Sequence, residues 1–294
     1  MKISALLAAG LLLLTTSCQQ KKEKLLLGGS GWNKVVILDK ETKTIEWEYP
    51  LEKGWECNSV AMTDNGNILF SYSKGAKLVT EDKKEIWNIP APEGCEMQTA
   101  RILPDGNFLL AWCGTPAKVM EVNSKGEIIS ETSYETGIEH AHAQFRQINK
   151  NKEGNYLFPL FATSDVREVN AKGELLKSVN VGGTPFSLMF LPNGNYLVAC
   201  GDGHKYVELN FATGEIVKSV EQNDIEGAKL FFVAQLYPSS NGGYYICNWQ
   251  GHDSSATEGN YPQLIEVDKD GKKVWELNDN ATFGMISSVY EFSR

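Results

Sequence analysis

NAKGELLKSVNVGGTPFSLMFLPNGNYLVACGDGHKYVELNFATGEIV, residues 170–217, is the stretch that decides the fold, because it holds one complete period of a repeat. It opens on a polar turn around Gly173 before Glu174-Leu175-Leu176. It passes Asn193-Gly194-Asn195, followed by Tyr196-Leu197-Val198-Ala199, and closes on a second polar turn around Gly214 before Glu215-Ile216-Val217. Asn-Gly between apolar runs is the strongest short hairpin signal, because a tight primed turn needs positive φ.

Working outward, both signatures recur. Gly66, Gly106, Gly154, Gly194 and Gly242 stand in matching Asx-Gly or Glu-Gly turns, spaced 40, 48, 40 and 48 residues apart. The second signature, an apolar-Asx pair, a polar turn and an apolar pair, appears at 38–47, 79–87, 122–129, 169–176, 209–217 and 267–275. Each unit therefore reads as four short strands, A to D. Six C–D elements match six A strands near 57–63, 97–103, 143–149, 184–191, 231–237 and 283–292. The chain enters this pattern on a B strand, Leu25–Gly29, and leaves it on a lone A strand, so the last strand is expected to complete the first unit. Repeats of this length and phase predict an all-β, six-bladed β-propeller over residues 25–294, with four-stranded antiparallel blades and a ring closed by the C-terminal strand.

Residues 1–17 read as a signal peptide: Lys2, an apolar run from Ile3 to Leu14, then small residues. The run is shorter than the roughly 20 residues of a membrane-spanning helix. Leu14-Thr15-Thr16-Ser17-Cys18 resembles the lipobox of bacterial lipoproteins. The resemblance implies cleavage before Cys18 and acylation of Cys18, with residues 18–24 as a polar tether. It places the protein in the cell envelope, anchored to a membrane by lipid. Gln19, not Asp, follows the cysteine, which is compatible with the outer membrane.

The net charge of −9 offers no basic surface for nucleic acid. Besides Cys18 there are five cysteines, an odd number that cannot all pair internally. Cys113, Cys200 and Cys247 close apolar runs and read as buried core residues. Cys57 and Cys95, at similar places in adjacent repeats, are the one disulfide candidate.

Trp47, Trp87 and Trp275 end strand D in IEW, EIW and KVW. This spacing resembles the tryptophan repeat of the quinoprotein-dehydrogenase-like (PQQ-like) propellers. Ser130, Lys177 and Lys218 replace the tryptophan in the other three blades. The resemblance implies the fold and carries no cofactor or functional residue with it. The run from His140 to Arg146 is also similar to the histidine-bearing mouth of six-bladed periplasmic arylsulfotransferases.

In a propeller the D–A and B–C loops share one face. That face receives Glu56, Glu96, Gln98, Arg101, His140 and His142 from D–A segments and the A strands they lead into. It receives His204, Trp249, His252 and Asp253 from B–C segments, so all four histidines fall on it. His140 and His142, at the start of an A strand, are expected to line the channel mouth with Glu56 and Glu96. The B–C insertion at 249–262 is the expected locus of specificity. The first reading is binding of a small-molecule, glycan or protein ligand through this face, without catalysis. The alternative is an envelope enzyme (hydrolase, lyase or arylsulfotransferase-like) with a His/Glu site at the mouth. No metal motif of specific spacing, phosphate loop or Gly-x-Ser-x-Gly elbow is present.

Overall fold

The computed structural model describes residues 21–252 and 261–294. They form six antiparallel sheets of four strands each, arranged as blades of one ring. The A strands run next to the central channel: Met285–Ser293 in blade 1, Val60–Met62 in blade 2, Glu96–Ile102 in blade 3, Asn149–Lys150 in blade 4, Ser187–Phe190 in blade 5 and Phe232–Pro238 in blade 6. Among the described residues the one helical element is a 3-10 turn, Ala141–Ala143.

Blade 1 closes the ring as expected. Strand B, Glu23–Ser30, pairs on one side with Met285–Ser293 and on the other with Lys34–Asp39. Lys22 N donates to Arg294 O at 2.9 Å, and Arg294 N to Lys22 O at 3.1 Å. The strand begins at Glu23, two residues before the expected Leu25, so Glu23 and Lys24 belong to the blade and not to the tether. Residues 1–17 and Cys18 lie outside the described residues.

The B strands are largely apolar because both faces of a blade are covered by its neighbours. In Leu25-Leu26-Leu27, the outer two pack toward blade 6 and the middle one toward blade 2. Leu109 and Leu110, Leu157 and Phe158, and Leu197 and Val198 divide in the same way. Each fully buried leucine contributes roughly 2 kcal/mol, so the wedges between blades hold most of the apolar stabilisation.

The D-strand tryptophans join blades at the rim. Trp47 Nε1 donates to Glu81 O in the next blade at 2.7 Å. Trp87 packs on Phe108, and Lys43 of blade 1 lies over Trp275. Where Lys177 replaces tryptophan, its Nζ donates to Ala212 O of the next blade at 2.7 Å.

Near the axis, polar side chains close a second ring. Ser59 Oγ donates to Ala100 O, Thr99 Oγ1 to Arg146 O, Asn149 Nδ2 to Leu188 O and Ser187 Oγ to Ala234 O. Val289 N donates to Gln235 Oε1, and Val60 N to Ser288 Oγ. These six bonds link each A strand to the next all the way round.

The expected Cys57–Cys95 pair is not formed. All five cysteines among the described residues are free. Cys57 is wholly buried in the wedge between blades 1 and 2, whereas Cys95 packs at the edge of the wedge between blades 2 and 3.

Candidate functional site

On the face of the D–A and B–C loops the channel opens into a narrow hollow of about 30 Å³, lined by Glu56, Asn58, His142, Arg146, Phe161, Phe186, Phe232, Trp249 and His252. Blades 2, 4, 5 and 6 supply these side chains.

One half is a polar chain. Asn58 Nδ2 donates to Glu56 Oε2 at 3.2 Å and to Gln98 Oε1 at 2.8 Å. Gln98 Nε2 donates to Glu96 Oε2 at 3.0 Å, and Glu96 Oε2 lies 2.9 Å from His142 Nδ1. His142 Nε2 lies 3.0 Å from Arg146 Nη2. A guanidinium can only donate, so Nε2 accepts and Nδ1 carries the proton that goes to Glu96. The His142 hydrogen bond, against the opposing effect of burial, holds the Glu96 carboxyl below the usual glutamate value, and Arg146 adds to the effect.

Arg146 is almost fully buried. Its Nη1 donates to His142 O and Phe145 O at 2.9 and 3.0 Å, and its guanidinium stacks 4.5 Å from the centre of the Phe161 ring. Among the described residues no carboxylate forms an ion pair with it. Its charge is answered by carbonyl dipoles, an imidazole and an aromatic face, with Glu96 one residue further off.

The other half is aromatic. Phe161, Phe186 and Phe232 stand 5.9–6.5 Å apart, and Phe232 meets Trp249 at 5.2 Å. Trp249 Nε1 donates to Ser30 Oγ of blade 1 at 2.9 Å, which fixes the indole. His252 stands edge-on to Trp249 at 4.8 Å, with Nδ1 2.8 Å from Asp202 Oδ1. Gly201, at φ +46, makes room for this corner: a Cβ there would fall 2.1 Å from Thr184 Oγ1.

The structure thus gathers Glu56, Glu96, Gln98, His142, Trp249 and His252 at one mouth. It does not gather the rest. His140 and His142 begin no strand. The 3-10 turn that follows His140 leaves it in an adjoining depression beside Glu93 and Cys95, which Glu96 and His142 also line. His204 bonds the carbonyl of Phe231 through Nδ1 at 2.6 Å, a structural task on a left-handed loop residue. Arg101 sits deeper in the channel and donates to Gln147 Oε1 at 3.1 Å; desolvation lowers its guanidinium to about 10. Asp253 lies outside the described residues. Sequence reasoning missed Arg146 as a site residue, although it stands four residues after His142. Phe186 and Phe232 were legible as D–A residues of this face but not as site residues, and Phe161 was missed, because phenylalanines carry no mark separating them from core residues. Among the described residues no group of three or more His, Cys, Asp or Glu could hold a metal ion.

Fold and site define a six-bladed propeller whose mouth joins a buried guanidinium to an aromatic wall. The chain belongs to the Mal s 1 allergenic protein-like family, whose model matches residues 29–272. No curated protein matches it. A crystal structure of a protein of unknown function from Bacteroides caccae is 66% identical, with a TM-score of 0.90 over 92% of this chain and 98% of that one. The streptogramin B lyase structure shares the fold at 12% identity and a TM-score of 0.60, covering 92% of this chain and 93% of the lyase. Virginiamycin B lyase from Staphylococcus aureus, in a catalytically inactive form with quinupristin, does so at 12% identity and a TM-score of 0.59, covering 94% and 93%. The shared architecture is the six-bladed ring, and nothing among these relatives supports the quinoprotein resemblance.

Proposed function

We propose that the protein is a cell-envelope lipoprotein, anchored through Cys18, whose propeller mouth binds a small ligand without chemically changing it. The ligand has a carboxylate or comparable acceptor that enters the narrow hollow and a flat apolar or aromatic body that lies over its rim. The observation that carries this reading is Arg146: a buried guanidinium with no ion pair among the described residues, opening beside four aromatic side chains. A planar guanidinium presents donors matched to a carboxylate, and aromatic walls bind flat apolar surface. His142 is poorly disposed as a base, because Glu96 and Arg146 occupy both of its ring nitrogens.

Calorimetry with a panel of aromatic carboxylates, their neutral amides and neutral oligosaccharides tests this. The carboxylates are expected to bind. Phe232→Leu should weaken them by about 1 kcal/mol, and Arg146→Lys about tenfold or more, since a lysine cannot form the bidentate contact. Binding of oligosaccharides alone, or of amides as tightly as acids, would overturn the reading. Metabolic labelling with palmitate, lost in Cys18→Ser, tests the anchor.

A second reading is supported by the His252–Asp202 pair. Its imidazole is oriented by a carboxylate on one side and faces the hollow on the other, an arrangement suited to proton transfer. Turnover of a bound ligand that disappears in His252→Gln would favour an envelope enzyme, lyase-like or hydrolytic.

A further inference from the structure

Nine large apolar side chains stand exposed among the described residues, from 41% for Ile216 to 57% for Ile128. All nine lie at the end of the ring opposite the hollow. Eight sit at the start of strand D: Ile86, Ile128 and Ile129, Leu175 and Leu176, Ile216 and Val217, and Val274. Phe190 ends strand A of blade 5 on the same side.

Their placement has one local cause. Every C–D hairpin slips register by one residue at this point. In blade 3, Val122 faces Ile128 and Glu121 faces Ser130, which leaves Ile129 without a partner. The unpaired residue is Ile86, Ile129, Leu176, Val217 and Val274 in blades 2 to 6. A bulge turns its side chain out of the sheet. Five bulges of six therefore hold an apolar residue in water, where it adds nothing to the stability of the monomer. In blade 1 the residue is Glu46, which accepts from Lys24 at 2.6 Å. Between the turns of blades 2 and 3 the same face carries an open hollow lined by Met62, Ile86, Ile102, Leu103 and Phe108.

The chain enters the propeller on this face. Glu23 accepts from Ser240 in an A–B turn and from Lys40 in a C–D turn. Cys18 lies five residues before Glu23, so the tether spans ~17 Å at most when fully extended. The lysines of the C–D turns stand beside glutamates, as in Lys125 with Glu127 and Lys172 with Glu174. This near-neutral pattern suits zwitterionic headgroups better than an anionic surface.

From these observations we infer that the turn face rests on the lipid bilayer, with the bulge residues of blades 2 to 6 dipping into its interface and the ligand hollow pointing away. Acyl anchoring is firm when a second membrane contact accompanies it. The inference uses the acylated Cys18 of the preceding reading, and its test separates the two.

The full acylated chain on phosphatidylcholine vesicles is labelled with hydroxyl radicals, and oxidation of Ile128 and Ile129 is followed. Two chains carry about 20 Gly/Ser residues inserted between Gln20 and Lys21: one otherwise unchanged, one also bearing Leu176→Lys, Val217→Lys and Val274→Lys. Oxidation is expected to be low in the native chain and in the lengthened chain, and about five-fold higher in the lengthened lysine variant. Equal labelling of the two lengthened chains overturns the inference, because the short tether alone would then account for the protection. Protection that appears without vesicles and grows with protein concentration also overturns it, in favour of a second copy as the occupant. Intact mass reads acylation of Cys18 independently. If the acyl chains are absent, the anchor fails by itself, and vesicle flotation of the native chain against the triple lysine variant still decides the docking.

Discussion

At the scale of single residues, the mouth depends on a relay in which each group fixes the next: Arg146, His142, Glu96, Gln98, Asn58. Glu96 is where acid enters. Its folded pKa is lowered below the ordinary 4.5, so its contribution to stability is present above that value and is lost as pH falls through the lowered one. Glu96→Gln is expected to cost on the order of 1 kcal/mol near neutral pH, and this cost should shrink on acidification below about 4.5. Thermal unfolding of both chains as a function of pH measures it. The thiols give a second expectation. Burial pushes Cys57, Cys113 and Cys200 up to about 12, and raises Cys247 further. Iodoacetamide on the native protein at mildly alkaline pH should mark Cys95, the partly exposed thiol, and spare these four until the chain is denatured. Peptide mapping reads the pattern.

At the scale of the element, hairpins were legible and inter-blade polar bonds were not. Asn170 shows why hairpins can be read. Its Oδ1 accepts from Lys172 N and Glu174 N, so the turn's chemistry lies inside five consecutive residues. Thr99 shows the opposite case. Its hydroxyl donates to Arg146 O at 2.7 Å and accepts from Ile148 N at 3.0 Å, across 47 and 49 residues of sequence. Nothing near Thr99 announces that partner. The same holds for Arg146, which follows two histidines in the sequence, yet the 3-10 turn decides that His142 meets it and His140 does not. Thr99→Val keeps the shape and leaves two buried backbone groups unpaired, which should cost about 1–3 kcal/mol. Asn170→Ala, at an exposed turn, should cost about 1 kcal/mol or less. Urea unfolding of the two variants compares a bond inside one hairpin with a bond between blades. The C–D bulges were hidden for a related reason: GELL and GEIV read as a turn followed by an apolar pair, and the one-residue slip emerges only when strand D pairs.

At the scale of the molecule, the ring was legible because its evidence is arithmetic. Six C–D elements, six A strands and out-of-phase ends leave little freedom. The ring's two ends were less so. Both faces carry polar loops, and the distribution of exposed apolar residues depends on pairing details that no repeat count reaches. Removing residues 285–294 should strip blade 1 of its inner strand, with the buried Ile286 and Val289, and uncover Leu25 and Leu27, which pack against them. That truncated chain is expected to lose its cooperative thermal transition, as read by calorimetry, whereas shortening the chain between His252 and Tyr261 should leave the transition in place and alter binding alone.

The pairing of Glu23–Ser30 with Met285–Ser293 also sets an order of events in time. Synthesis delivers the outer three strands of blade 1 first and its innermost strand last. Until that final segment arrives, the first blade has an open edge, the polar ring at the axis lacks Ser288 and Val289, and the sixth blade faces water. Blades 2 to 6 each lie within one stretch of chain, but the ring they build cannot close as the chain emerges. It stays incomplete for the whole of translation and becomes a closed body in one late step.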